Sequence, residues 1–307
     1  MILINAQNNR FEKLGVFARY VPLSIPVGIG TLAAYLMHKG HKVKLWDDAI
    51  KMLTAEDIKE LINDYQPPYV FGISCLTASI SRGYRIAQLI RGILPDVVII
   101  FGGIHPTVLP EEVLNTGLVD FVVRNEGEIP LEALYSAIKN KKNYEHISGL
   151  SFKKNGRIIH TPALPGPDMD SIPPFPYHLF EKHIDKYDFG FVLGSRGCPY
   201  DCIFCSQRSI TGRRFTYRSP EKVVDDIELL VNKYRQQLIT FIDDNMLTNK
   251  LRIKNMCELI VRRGLHKKVA LEGQARGDAI DEDILKNLKA ANFVTLDFGL
   301  ETASERL

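Results

Sequence analysis

Cysteine is scarce in this chain, five in 307 residues, and tryptophan occurs once. So few thiols exclude a disulfide-stapled scaffold. Charge of one sign is missing too: 39 Lys and Arg stand against 36 Asp and Glu, leaving +3 with no basic run, so neither a nucleic acid nor an anionic membrane is implied as a partner. Nowhere do eighteen apolar residues follow one another, and no integral membrane segment is expected. The opening M-I-L-I-N-A has no basic leader and no small-residue cleavage site, so the expected place is the cytoplasm, whose reducing conditions keep thiols free. What remains is an ordinary globular composition, 45% hydrophobic and 24% charged, long enough for two domains.

From Met1 to about Asn140, short apolar runs alternate with helical patterns. Five strands are expected, at Met1–Ala6, Lys42–Trp46, Tyr69–Cys75, Val97–Phe101 and Phe121–Val123. Ile29, Leu32, Ala33, Leu36 and Met37 repeat at helical spacing before Gly40, and Thr54 with Asp57 forms a capping pattern. Strands joined by helices make a doubly wound parallel sheet, α/β in class, whose ligands bind outside the carboxyl ends of the strands. Those ends are small and polar: Ser74 and Thr77, then Gly102, Gly103 and His105, then Glu126, Gly127 and Glu128. Paired glycines let a backbone approach a ligand, and they equally make a plain strand-to-helix turn.

Residues 148–160 are expected to form a hairpin turning at Asn155-Gly156. Six prolines between Pro162 and Pro176 suggest a stiff spacer. The second half again alternates strand and helix, beginning with an apolar strand at Phe189–Ser195, as in a β/α barrel whose site lies at the carboxyl ends of its strands. Helices are expected over 220–234, 250–263 and 281–291, with strands at 238–242, 269–272 and 294–298. The expected division is 1–145 for the first domain, 146–188 for hairpin and linker, and 189–307 for the barrel.

The scarce cysteines are not scattered. Cys198, Cys202 and Cys205 fall inside eight residues, C-P-Y-D-C-I-F-C, directly after the Phe189–Ser195 run. Structural zinc sites want four ligands, usually as two short pairs, and no second pair exists, since Cys75 and Cys257 each lie in an apolar run where a free Cys is a small core residue. Three thiolates on a cluster that takes four leave one position open to an outside ligand.

This stretch resembles the signature of the radical S-adenosylmethionine (SAM) enzymes, including the aromatic Phe204 ahead of the last Cys. The resemblance implies that Cys198, Cys202 and Cys205 hold a [4Fe-4S] cluster whose fourth iron is chelated by SAM, and that one electron cleaves SAM to a 5'-deoxyadenosyl radical. It also implies SAM contacts from Phe204, from I-D-D-N (Asp243, Asp244, Asn245), from Arg276 in Q-A-R-G-D and from Glu301 in G-L-E-T, although Asp243 or Asn245 can equally cap the helix that follows. The first half, through the run from Pro22 to Leu36, G-G-I-H-P-T and N-E-G-E, resembles the cobalamin-binding domain that precedes the barrel in one large subfamily. That implies cobalamin contacts from Ser74, Thr77, Gly102, Gly103, His105, Glu126 and Gly127. No D-x-H-x-x-G offers a histidine to cobalt, so cobalamin is expected to bind without its own base and without a protein imidazole.

The resemblance thus implies a cobalamin-dependent radical SAM enzyme with an electron donor such as a flavodoxin or ferredoxin as partner. Methylation of an unactivated carbon is the first expectation, and radical ring closure, as in anaerobic magnesium-protoporphyrin ester cyclases, is the alternative. A third class, a cobalamin or iron-sulfur module without catalysis, fits three cysteines less well than four. The substrate and the general acid and base groups are not legible. Barrels of this family have six βα units, and four strands are counted from Phe189, with E-T-A-S-E-R-L starting as a helix, so a fragment truncated after the fourth strand is expected. Such a fragment would lack part of the SAM and substrate sites.

Overall fold

The computed structural model describes residues 1–8, 15–21, 23–302 and 304, and they fall into two compact units. The first comprises Met1–Pro167 and Ile172–Tyr187, the second Asp168–Ser171 and Asp188–Leu307.

The first unit is built on a seven-stranded sheet. Its strands are β1 (Ile2–Asn5), β2 (Lys44–Asp47), β3 (Val70–Ser74), β4 (Val98–Gly102), β5 (Phe121–Val123), β6 (Leu150–Lys154) and β7 (Arg157–His160), in the order β2-β1-β3-β4-β5-β6-β7. The pairs from β2 through β5 are parallel. Successive side chains of a strand point to opposite faces, and both faces here are apolar. Ile2 and Ile4, Phe71 and Ile73, and Ile99 and Phe101 enter one core with Ile58 of α2 (Ala55–Ile62) and with Ile86 and Ile90 of α3 (Ile80–Ile93). Leu3, Val70 and Ile100, each next to one of these in its strand, enter the other with Ala33 and Leu36 of α1 (Val27–His38). This two-sided burial is what turns the short apolar runs into a doubly wound sheet. Strand order reverses between β1 and β3, so the crevice that such a fold offers lies beyond Asn5 and Ser74.

The hairpin is as expected in its turn, with Asn155 at φ +50 and Gly156 at φ +76, but it does not stand apart: β6 pairs antiparallel with β5 and extends the sheet. The proline-rich stretch is likewise no free spacer. Phe175 stacks on Phe180 with centroids 5.6 Å apart, and a Cβ built on Gly30 of α1 would lie 2.4 Å from the Phe175 ring. Prolines stiffen this segment as it packs on α1 within the first unit, while residues Asp168–Ser171 belong to the second.

The second unit holds an all-parallel sheet, β8 (Phe191–Val192), β9 (Leu238–Phe241), β10 (Ala270–Gln274) and β11 (Phe293–Asp297), in that spatial order. The longer helices between and after the strands are α8 (Pro220–Asn232), α9 (Lys250–Arg262) and α10 (Glu282–Ala290), taking α4 to α7 as the helices at Ile104–Val108, Pro110–Asn115, Glu128–Lys139 and Gln207–Thr211. Strand β8 is shorter than the expected Phe189–Ser195, because Ser195-Arg196 turns aside to pair antiparallel with Thr216-Tyr217. The helix expected from Glu301 onward lies largely outside the described residues. Among the described residues no helix is long and apolar enough to cross a membrane.

The capping pattern read at Thr54 is realised. Thr54 Oγ1 accepts the Asp57 N–H at 3.3 Å and the Asp57 carboxylate accepts the Thr54 N–H at 3.0 Å. Thr54→Ala should therefore lower stability by about 1 kcal/mol, measured as an earlier urea midpoint, and an unmoved midpoint would show that these contacts contribute nothing.

Candidate active site

In the second unit the cysteines lie on the segment that leaves β8. Gly194 carries the chain out of the strand. Its N–H donates to Asp243 Oδ1 at 2.7 Å, and its carbonyl accepts from Arg252 Nη2 at 2.7 Å and from the Arg218 N–H at 2.9 Å. Ser195 Oγ donates to the other oxygen of Asp243. A side chain at 194 has no room, since a Cβ would stand 2.7 Å from Arg252 Nη2. Three residues on, Gly197 sits at φ +78, where a Cβ would meet the Arg214 carbonyl at 2.1 Å, so glycine is required on both counts.

The loop from 197 to 207 is pinned to the end of β9. Asp244 Oδ2 accepts the Gly197 N–H at 2.9 Å and also the Gln207 side-chain amide. Asp201 pairs with Arg208 at 3.0 Å and with Arg213. Arg276, just past β10, lays its guanidinium 3.9 Å from the centre of the Tyr200 ring, donates to Cys202 Sγ at 3.3 Å, and forks onto Asp278 at 3.1 and 2.8 Å. The Gln207 N–H donates to Cys205 Sγ at 3.5 Å. Phe204 is 68% exposed and Cys205 is exposed.

These donors test whether the site suits an iron-sulfur cluster. Three sulfurs on one pinned loop, two of them receiving N–H donors and one lying beside a fixed cation, suit an anionic sulfur-ligated centre in kind. Among the described residues no three His, Cys, Asp or Glu side chains converge closely enough to hold one metal ion. Holding a cluster would require the three sulfurs to come closer together within the span that Asp244 closes. Cys75 and Cys257 are buried apart from this exposed loop, and burial pushes both thiols up to about 12, away from the thiolate that a metal needs.

Several residues expected to touch SAM have other duties. Asp243 is fully buried and both its oxygens are engaged by Gly194 and Ser195; burial pushes its carboxyl upward, opposed by Ser195, Arg252 and the Gly194 N–H. Neither Asp243 nor Asn245 caps a helix through its side chain, and the cap of α9 is Asn249. The Arg276 guanidinium is committed to Asp278, which holds it firmly protonated, and to Cys202. Asn245 is different: its Oδ1 accepts the Arg276 N–H at 3.4 Å, while its buried Nδ2 has no partner among the described residues. Glu301 is exposed, at φ +58.

In the first unit the expected contacts gather at the carboxyl ends of β3 and β4. Ser74 ends β3, and Thr77 follows it. Gly103, at φ +96, has no space for a Cβ, which would lie 2.6 Å from the Cys75 carbonyl. Its glycine is thus demanded by the chain itself. His105 is 5% exposed and both ring nitrogens are occupied, Nδ1 lying 3.3 Å from Thr77 Oγ1 and Nε2 3.3 Å from Glu112 Oε1. It braces two loops and presents no free nitrogen. Gly127 starts α6 against Leu32, where a Cβ would stand 3.1 Å away, and the Glu126 carboxyl lies against Gly166. What faces outward is apolar: Leu76, Ile104 and Val108 are 46%, 40% and 44% exposed. Wet apolar side chains at the switch point of a doubly wound sheet, beside Ser74 and Thr77, fit the broad face of a corrin ring.

Gly194 and Arg252 went unnoticed in the sequence. A signal for Arg252 existed, because it falls in line with Met256 and Leu259, on the face of α9 that is otherwise apolar.

Residues 14–135 match the B12 binding domain family and residues 192–307 the radical SAM superfamily. An uncharacterised methyltransferase of Pyrococcus horikoshii is 32% identical over 289 residues, 92% of this chain and 62% of that protein. The anaerobic magnesium-protoporphyrin IX monomethyl ester cyclase of Synechocystis sp. is 28% identical over 292 residues, 91% of this chain and 57% of that protein. The fold is that of the radical SAM methyltransferase TsrM from Kitasatospora setae, solved with cobalamin and a [4Fe-4S] cluster bound, with a TM-score of 0.82 at 19% identity over 100% of this chain and 61% of that one. The chain thus spans about three fifths of the length of these relatives.

Gly103→Ala should destabilise the first unit by about 2 kcal/mol, from strain at positive φ and the clash with Cys75. Urea unfolding followed by a probe in that unit measures it, and a loss below a few tenths would show that the backbone moves aside freely.

Proposed function

We propose, for a chain that belongs to the radical SAM superfamily and carries a B12 binding domain ahead of it, that it binds cobalamin and a SAM-chelating [4Fe-4S] cluster and serves methylation of an unactivated carbon. The observation that carries this is the set Cys198, Cys202 and Cys205 on one loop pinned by Asp244 and flanked by the Arg276 guanidinium. When bound, the cluster supplies the electron that cleaves SAM, and cobalamin carries the methyl group.

The chain's own residues bind and orient. Cys198, Cys202 and Cys205 hold the cluster. Arg276 offsets negative charge at Cys202 through its donated hydrogen bond. Phe204, exposed beside Cys205, offers an aromatic face to SAM, and Asn245 offers an Nδ2 donor that is unmet among the described residues. Glu301 is open to an ammonium or hydroxyl. On the first unit Leu76, Ile104 and Val108 would pack on the corrin, and Ser74 and Thr77 would offer hydroxyls to its amide side chains. His105, held on both nitrogens, would not be available as a ligand to bound cobalamin. A flavodoxin or ferredoxin in a reducing cytoplasm would supply the electron.

Ring closure is the second reading, supported by the similarity to the Synechocystis cyclase over 91% of the chain. Products separate the two. The 307-residue chain reconstituted anaerobically should take up about four irons, the number set by the cluster type. Cys202→Ser should lose them while Cys257→Ser keeps them. With SAM, a reductant and a trial substrate, formation of both 5'-deoxyadenosine and S-adenosylhomocysteine supports methyl transfer; 5'-deoxyadenosine alone supports ring closure; iron retained by Cys202→Ser but lost by Cys257→Ser overturns the ligand assignment.

For the first unit, the paramagnetic resonance spectrum of added Co(II) cobalamin should show no nitrogen splitting from an axial base. Splitting that disappears in His105→Ala would overturn the role given to His105.

A further inference from the structure

The sequence pattern I-D-D-N invites a role in holding SAM, yet each of the two carboxylates accepts one backbone N–H and one side-chain donor from the cysteine segment and its ends. We propose that Asp243 and Asp244 are positioning residues for the cysteine loop, Asp243 fixing where the loop starts and Asp244 fixing the distance between its two ends. The proposal deepens the function above and rests on the assignment of the three cysteines as cluster ligands.

The geometry divides the work between neighbours. Asp243, buried, takes the Gly194 N–H and the Ser195 hydroxyl, so the departure point from β8 is tied to the end of β9. Asp244 is exposed, and a single oxygen of it accepts from both Gly197 and Gln207. All three cysteines lie between those two donors. Closing that span on one atom removes most of the freedom that three ligands would otherwise have to lose on taking up a cluster, which is a loop-closure effect. Charge matters as well, because a carboxylate accepting two N–H donors holds them more strongly than a neutral amide oxygen would. The Gly197 conformation, closed to any side chain by the Arg214 carbonyl, aims its N–H at this oxygen.

A residue that touched SAM and one that closes the loop respond differently to Asp244→Asn. Hydrogen exchange of backbone amides 197–207 in the metal-free 307-residue chain should quicken about tenfold in Asp244→Asn, from loss of a charge-assisted hydrogen bond. Amides of α8 and α9 should keep their wild-type protection, which confirms that the variant is folded. Gln207→Ala, which removes one of the two donors, should quicken the same amides. On reconstitution, Asp244→Asn should show several-fold less cluster absorbance at equal iron supplied, and Asp244→Glu, which restores the charge, should recover part of it. The fraction that does carry a cluster should bind SAM within about twofold of wild type. Unchanged exchange at 197–207 in both Asp244→Asn and Gln207→Ala overturns the proposal. So does a full cluster complement in Asp244→Asn with SAM affinity weakened tenfold, which would make Asp244 a ligand contact. If wild type itself takes up no iron, the cluster assignment fails while the exchange of the metal-free chain still decides whether Asp244 closes the loop.

Discussion

The second unit turns on one residue. Gly194 has its N–H on the Asp243 carboxylate and its carbonyl on the Arg252 guanidinium, each at 2.7 Å, with acid and base both buried. The two opposite charges act on each other through space while each is held by this glycine, and removing either would leave the glycine's polar group unmet and the other charge less compensated in a dry place. The value of this pair is therefore directional. It fixes the point and angle at which the chain leaves β8, and everything that follows, from Ser195 through the third cysteine, is aimed from there. Arg218 joins the same device, with its N–H on the Gly194 carbonyl and its guanidinium on Asp226.

The first unit meets the same requirement with less charge. Its sheet is buried on both faces, so the only backbone free to approach a ligand lies beyond the strand ends, and there Gly103 removes a Cβ that would strike Cys75. His105 then locks the following turn through Thr77 and Glu112. Once these polar groups satisfy one another, the side chains left facing water include Leu76, Ile104 and Val108. Leaving three apolar side chains wet opposes the hydrophobic effect, and a large flat ligand covering them removes that opposition.

Much of this was legible in the residues. Period-two burial on both faces follows from runs such as V-F-G-I-S, and the β5 strand stands at Phe121–Val123 as expected. The capping box at Thr54 and the Asn155-Gly156 turn are local chemistry, written in adjacent residues, and they appear unchanged. Long-range partners are not written locally. Nothing in P-A-L-P-G-P or I-P-P-F-P says that Phe175 packs against Gly30, 145 positions away, and so a packed segment looked like a spacer. Gly194 and Arg252 were missed for the same reason, as a carbonyl and a guanidinium 58 residues apart.

The residue types at the strand ends were identified, but their roles divide by burial, which a linear pattern does not record. Asp243 and His105 carry polar atoms suited to a cofactor, yet each is enclosed and has its hydrogen-bonding capacity spent on the chain. A buried group so satisfied gains nothing by turning to a ligand, because it would leave its present partners unpaired in a dry place. Exposed Phe204 and Glu301 carry no such debt. Asn245 crosses the division: it is as enclosed as Asp243, but its Nδ2 donor is unmet among the described residues. An unmet buried donor is itself unfavourable, and an acceptor arriving at the end of β9 relieves it. Of the two buried polar residues in I-D-D-N, Asn245 is therefore the one whose chemistry remains open to a ligand, while Asp243 and Asp244 hold the loop to which that ligand would come.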